Sequence, residues 1–253
     1  MAKFLIVLAV VLGAALAVPL PREENDFEGR IVGGSAAGNG QYPHQISLRR
    51  GNSHFCGGSI LSNRFVLTAA HCTHGQSPSG IAIVVGTNYL NSGGTAYGVA
   101  QIINHANYDP QDNANDISIL VVSGSIAFTP AVKSITLASS NPSHGSQCIL
   151  SGWGLTGYPG STLPNALQHI GLSALDLNEC ARRLPGFPVY TSHVCTSSPV
   201  GQGACQGDSG GPLIAGGSQV GVVSWGIPCA KGNPDIFTSV AFYRGWINSI
   251  TGI

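Results

Sequence analysis

Past its first residues the chain alternates short apolar runs with turns rich in glycine, proline, asparagine and serine. Phe55-Cys-Gly-Gly-Ser-Ile-Leu61 and Arg64-Phe-Val-Leu-Thr-Ala-Ala-His-Cys72 read as two strands around a turn at Ser62-Asn63. Ile81–Val85, Tyr97–Ile103 and Asn115–Val122 continue the pattern. Thr129–Ser146, richer in Pro, Ser and Asn, reads as a linker between two halves. Further apolar runs follow at Gln147–Leu150, Ala166–Leu175, Val220–Trp225 and Ile236–Val240. Many short strands at this spacing predict an all-β barrel or sandwich architecture. At the end, Ala241–Ile250 places Phe242, Trp246 and Ile250 four residues apart, as on one face of a short amphipathic helix, with Gly245 counting against it.

Composition narrows the function classes. The 253 residues allow one large domain or two small ones, and 43% hydrophobic residues suffice for a core. Charged residues make up only 9% with zero net charge, and no block of like charge offers a footprint for nucleic acid. At the start, Lys3 precedes the apolar run Phe4–Leu12, and Ala15-Leu-Ala17 supplies a small-x-small cleavage site. Residues 1–17 therefore read as a removable export signal, giving a secreted, extracellular protein. A membrane anchor would need a longer run, and Pro19, Pro21 and a charged cluster follow at once. Residues 18–30 are polar and end at Arg30, directly before Ile31-Val-Gly-Gly34. That junction reads either as a cut site for a protease preferring basic residues or as the end of an ordinary leader.

The chemistry concentrates in Gly201-Gln-Gly-Ala-Cys-Gln-Gly-Asp-Ser-Gly-Gly-Pro212. Ser209 stands amid bare backbone, and Asp208 stands beside it. A serine hydroxyl needs a base to take its proton and donors to stabilise the oxyanion it generates. The N–H groups of Gly207 and Ser209 could meet the second need. A Gly-rich surface turn, or the strand-to-helix nucleophile elbow, would also fit this stretch taken alone. The elbow places a histidine after its serine, and none follows Ser209; no Asp or Glu lies between Arg30 and Asp109 to begin an acid–His–Ser order. The order His, acid, Ser remains. His71, beside Cys72, is the candidate base. A structural or metal-binding histidine is the alternative, although no Cys-x-x-Cys or His-x-x-x-His spacing supports metal. Asp116 opens an apolar run and is the candidate acid; Asp109 and Asp112 lie in turn sequence. Cutting after Arg30 would create an α-ammonium on Ile31 able to fold inward and pair with Asp208, making residues 18–30 an inhibitory segment.

These residues resemble the trypsin/chymotrypsin-type serine endopeptidases. The resemblance rests on Ile31-Val-Gly-Gly34, Thr68-Ala-Ala-His-Cys72, Asn115-Asp-Ile117, Gly152-Trp-Gly154, Gly207-Asp-Ser-Gly-Gly-Pro212 and Ser224-Trp-Gly226, and covers essentially all of residues 31–253. It implies two six-stranded antiparallel β-barrels with the site between them. The first barrel would span about 31–130, the second about 140–240, and a C-terminal helix about 241–250. It further implies His71, Asp116 and Ser209 as the catalytic triad, and Gly207 and Ser209 as oxyanion donors. Ser224 would bond near Asp116. Gly203, Gln206, Ser224, Trp225, Gly226 and Asp235 would meet the substrate, with backbone from Ser224 to Gly226 pairing with it as an added strand. Arg30, Ile31 and Asp208 would carry activation.

The pocket departs from trypsin. The position six residues before the nucleophile, an aspartate in trypsins, is Gly203, while Asp235 stands where the family usually has glycine. The pair resembles the crustacean collagenolytic serine proteases (brachyurins) and implies broad cleavage, after apolar side chains and after Arg and Lys. In the other reading Asp235 turns away to backbone or Lys231. Cysteine pairings implied by the resemblance are Cys56–Cys72, Cys180–Cys195 and Cys205–Cys229. Cys148 is left over, because its usual partner would lie near Ala215, and is expected to be a buried free thiol. Residues 86–98 lack the acids of the calcium loop seen in some relatives, so no metal and no cofactor are expected. Expected partners are protein or peptide substrates, an activating protease and protein protease inhibitors, with the enzyme a monomer and its role digestive. The alternatives are a narrow chymotrypsin-like specificity, or a non-enzymatic relative that keeps the fold as a binding module. Such relatives usually lack a triad residue, and all three are present.

Overall fold

A computed structural model of the chain describes residue 1, residues 31–227 and residues 229–253. Apart from Met1, the export segment expected at 1–17 and the activation segment at 18–30, with Arg30, lie outside the described residues.

After β1 (Ser35–Ala36) the first half forms β2 (Gln45–Arg50), β3 (Ser53–Ile60), β4 (Phe65–Thr68), the one-turn helix α1 (Ala70–Thr73), β5 (Ala82–Val85), β6 (Thr95–Asn104) and β7 (Ser118–Val122). These strands run in the order β2-β3-β4-β7-β6-β5 and close because β2 also pairs with β5, with Leu48 opposite Ile83. The second half supplies β8 (Thr136–Leu137), β9 (Gln147–Gly152), β10 (Gln168–Leu175), α2 (Leu177–Arg183), β11 (His193–Ser197), β12 (Pro212–Ala215), β13 (Ser218–Gly226), β14 (Asp235–Ser239) and α3 (Arg244–Thr251). Of the eight strands in this sheet, six close into a ring, β9-β10-β11-β14-β13-β12, sealed by pairing of β12 with β9. β1 is appended to β10, and β8 lies parallel to β13. Closure leaves few unpaired edge groups in either barrel. The all-β fold implied by the resemblance is the observed one.

Each barrel has its own core. Ile46, Leu48, Ile60, Leu67, Ile83, Ile119 and Leu120 fill the first. Leu150, Leu172, Val194, Leu213, Val220 and Phe237 fill the second. The two ends of the described chain cross over. Ile31 is fully buried in the second core, whereas Tyr243 and Ile247, at the other end, join the first. Each barrel is thus strapped by a segment from the far end of the chain.

Local departures from the sequence reading have physical causes. The second predicted strand stops at Thr68, and His71 lies on α1, because Cys72 is bonded to Cys56 and Thr73 Oγ1 turns back onto the Ala69 and Ala70 carbonyls. The linker at 129–146 contains β8. α2 was not foreseen, although Asp176 caps it through the N–H groups of Asn178 and Glu179, and Glu179 bonds Arg182 and Arg183. The C-terminal helix starts later than expected. Phe242 precedes it and is 56% exposed, and the buried stripe is Tyr243 and Ile247 flanked by Trp246 and Ile250.

Candidate active site

His71 projects from α1, at the end of the first barrel that faces the second. Its Nδ1–H donates to Asp116 Oδ2 at 2.7 Å, and its backbone N–H donates to Asp116 Oδ1 at 2.8 Å. Asp116, two residues before β7, is fully buried. Ser224 Oγ donates to the same Oδ2 at 2.6 Å. Ser224 reaches it because β13 bulges between Val223 and Trp225, taking Ser224 out of the ladder with β14. Thr238 Oγ1 donates to the Asp116 carbonyl at 2.7 Å. Two barrels therefore hold one carboxylate, and the carboxylate fixes the His71 tautomer with Nε2 free to accept a proton.

Ser209 is brought to this centre by a close approach of backbones. Its carbonyl accepts from Gly57 N–H of β3 at 2.7 Å. The next residue, Gly210, lies so near the first barrel that a Cβ there would stand 2.2 Å from Thr68 Oγ1 and 3.1 Å from Ala69 N. Those two residues lead directly into α1, so the glycine sets the Ser209 loop against the root of the His71 helix. Among the described residues Ser209 Oγ makes no hydrogen bond, and His71 Nε2 lies 3.6 Å from Cys72 Sγ. The contact that would join serine and histidine is open here; such bonds commonly tighten only when substrate binds. Neither Gly207 N–H nor Ser209 N–H has an acceptor among the described residues, leaving two donors on one turn uncommitted.

A cavity of about 300 Å³ opens beside Ser209. Gln206, Ser224, Trp225, Gly226 and Asp235 line it, together with Tyr158, which carried no sequence signal. Asp235 is only 5% exposed and faces this cavity. Its Oδ2 accepts from Ser198 Oγ at 2.6 Å and from Ala204 N–H at 2.9 Å. Gly203, expected to meet the substrate, is not among the lining residues and instead lies behind Asp235: with φ +140°, a Cβ at 203 would lie 2.7 Å from Asp235 Oδ2. In this chain a side chain at 203 and a carboxylate at 235 would compete for one space. Burial pushes the Asp235 carboxyl up to about 6, against the pull of the Ser198 and Ala204 hydrogen bonds. Of the alternative, pairing of Asp235 with Lys231 does not occur among the described residues, whereas the backbone contact does, from Ala204 N–H, with Asp235 still lining the cavity.

Asp208 is fully buried, with Oδ1 accepting from Gly154 N–H at 2.7 Å and Oδ2 from Cys205 N–H at 3.0 Å. A Cβ on either Gly152 or Gly154 would stand 2.1 Å from a carboxylate oxygen, so Gly152-Trp-Gly154 is the cradle of this acid. No cationic side chain faces it among the described residues, and burial pushes its carboxyl up to about 7. Val32 accepts from Gly203 N–H at 3.2 Å, which docks the segment after Ile31 onto the loop leading to Asp208.

Cys56, His71 and Cys72 cluster closely enough to suggest metal ligands. The two sulfurs are joined as a disulfide and offer no thiolate, so the cluster is not a ligand set. Cys180–Cys195 and Cys205–Cys229 are the other two bridges. Cys148 is free and fully buried. Sequence reasoning missed Ser198, Thr238 and Tyr158. Isolated polar residues on strands and loops carry no spacing that marks them.

The family model described as Trypsin matches residues 31–247. Trypsin delta of Drosophila melanogaster is 42% identical over 98% of this chain and 99% of its own length. Trypsin alpha-4 of Lucilia cuprina is 40% identical, with 98% of both chains covered. Among solved structures, neuropsin, a serine protease expressed in the limbic system of mouse brain, superposes with a TM-score of 0.81 at 34% identity, covering 86% of this chain and 98% of neuropsin. The chain belongs to the trypsin family and is a serine endopeptidase.

Proposed function

We propose that this endopeptidase cuts peptide bonds through an acyl-enzyme formed on Ser209, with His71 and Asp116 completing the triad. The observation that carries the reading is the shared Asp116 carboxylate, held by His71 from one barrel and Ser224 from the other, beside a cavity that opens at Ser209. His71 Nε2 takes the Ser209 proton as Oγ attacks the substrate carbonyl. The oxyanion falls to the N–H groups of Gly207 and Ser209. The imidazolium then passes its proton to the leaving amine, and water repeats the sequence to release the acid. Backbone of Ser224 to Gly226 pairs with the substrate as an added strand, beside Trp225.

The side chain before the cut bond enters the 300 Å³ cavity. Apolar walls accept Leu, Phe and Tyr, and the Asp235 carboxylate accepts Arg and Lys from the wall. The Gly203–Asp235 pair supports this broad, brachyurin-like cleavage over a strictly basic or strictly aromatic one. The enzyme is secreted as a zymogen, cut after Arg30 by another protease, and works as a monomer on dietary protein, held in check by protein inhibitors. The new Ile31 ammonium supplies the cation that buried Asp208 lacks. Among the described residues no helix is long and apolar enough to cross a membrane.

Profiling the activated enzyme on a mixed peptide library tests this reading. Cuts should follow Leu, Phe, Tyr, Arg and Lys, and Ser209→Ala should remove them all while leaving the circular dichroism spectrum unchanged. Cleavage surviving in that variant would exclude Ser209 as nucleophile.

A further inference from the structure

Resting on the oxyanion role proposed for Gly207, we infer that His54 is a positioning residue that holds the oxyanion donors in place from the opposite barrel. The turn bearing them has no side chain of its own at the key point, because residue 207 is glycine with φ +100°. Its three successive peptides are fixed through their carbonyls instead. Gln206 C=O accepts from Leu155 N–H at 2.8 Å, and Asp208 C=O accepts from Gly211 N–H at 2.9 Å. Gly207 C=O accepts from His54 Nε2 at 2.9 Å. With all three carbonyls tied, the N–H groups of Gly207 and Ser209 remain free for substrate. Only one of the three ties is a side chain, and it alone comes from β3 of the first barrel.

The rest of the His54 environment fixes which nitrogen carries the proton. A carbonyl can only accept, so Nε2 must carry hydrogen. Nδ1 lies 2.8 Å from Ser47 Oγ, and Ser47 Oγ already accepts from Arg49 Nε at 3.0 Å. With Nε2–H on a neutral ring, Nδ1 is an acceptor, and the Ser47 hydroxyl can donate to it while accepting from the guanidinium, which supports the Nε2–H tautomer. Burial pushes the ring down to about 4, the Gly207 bond pulls it up, and the Arg49 charge pushes it down again. The imidazole is therefore neutral at neutral pH. Trp153 packs edge-on against it at 5.5 Å between ring centres, and the residue after Trp153 supplies the N–H that binds Asp208. His54 is thus wedged between the cradle of Asp208 and the donor turn.

Kinetics of the activated enzyme on a slowly cleaved peptide amide, with inhibition by a peptide aldehyde, test the role. The aldehyde forms a hemiacetal whose oxygen needs the same two donors, whereas KM for a slow amide reports ground-state binding. Outright loss of one donor costs about 100- to 1000-fold in kcat. A mis-aimed donor should cost less, so His54→Ala should lower kcat by about 10- to 100-fold with KM within about twofold. Aldehyde affinity should fall by a matching factor. His54→Gln, which keeps an N–H donor, should recover most of both. Should His54→Ala fail to fold, Ser47→Ala retains the ring and loses the support for its tautomer, and should reduce kcat and aldehyde affinity together. Unchanged kcat in the folded variants, or KM worsening in step with kcat, would overturn the positioning role. An enzyme silenced by Ser209→Ala but indifferent to His54→Ala would lose this inference alone. Hydrolysis surviving Ser209→Ala would remove the triad reading itself.

Discussion

Replacing Asp235 with Asn tests whether the cavity beside Ser209 recognises charge on a substrate, as proposed. The Asn side chain keeps the shape and can still accept from Ser198 Oγ and Ala204 N–H, the two donors now 2.6 and 2.9 Å from Oδ2. Only the charge is lost. Burial raises the carboxyl from its ordinary 3.8 to about 6. That shift of about two units means that ionisation inside the empty cavity costs about 3 kcal/mol. The sign follows from linkage. A carboxyl raised in the fold destabilises the protein as pH climbs from the unfolded value to the folded one, and the full cost is present above about 6. An Arg or Lys side chain entering the cavity relieves that cost. The charge is then worth about 3 kcal/mol to a basic substrate, on the order of 100-fold in kcat/KM. Asp235→Asn should therefore lose about 100-fold on an Arg amide and change a Leu amide by less than about fivefold. In the wild type, the ratio of kcat/KM for Arg over Leu should be level above the Asp235 value of about 6 and fall by about tenfold per pH unit below it. Groups that act alike on both substrates cancel in that ratio. An equal loss on both substrates, or a wild-type ratio flat from pH 4 to 8, would refute a cavity role for the carboxylate.

Two further outcomes are expected. Once Arg30 is cut, the Ile31 amine paired with Asp208 should titrate above its free value of about 8, so the pair's stabilisation is complete below that value and is lost as pH rises through the raised one. Activity and the near-ultraviolet spectrum of the cut enzyme should fade together in that alkaline range, and persistence of both far into alkali would contradict the pairing. Cys148, fully buried and pushed up to about 11 by burial, should resist iodoacetamide at neutral pH and react after unfolding, as read by intact mass; rapid labelling of the native protein would contradict its burial.

The residues that belong to short contiguous motifs were legible before any coordinates. His71, Asp116 and Ser209 stand in stretches whose order along the chain leaves few alternatives, and alternating apolar runs signalled most of the strands. What stayed hidden depends on contacts between distant segments. Nothing near Ser198 indicates that it meets Asp235, 37 residues away. The 153-residue separation of His54 and Gly207 likewise leaves no periodic trace. Gly152 and Gly154 could be quoted as a motif, but their purpose appears only when Asp208 is seen lodged against their bare Cα atoms. The helix at 177–183 was missed for another reason. It is short, and its cap, Asp176 with Glu179 three residues later, follows an apolar run that reads as strand. At the C-terminal end, four-residue spacing alone mistook exposed Phe242 for part of the buried face, where crowding against the first barrel selects Tyr243 and Ile247.

The most direct test asks whether an imidazole of the first barrel activates a hydroxyl of the second. The cut enzyme is treated with a fluorophosphonate, which reacts with serines made nucleophilic by a neighbouring base, and the adduct is located by peptide mass spectrometry. One phosphonyl group on Ser209, absent when His71 is replaced by Ala, is the predicted result. An adduct on another serine, or undiminished labelling of Ser209 in the His71→Ala enzyme, would contradict it.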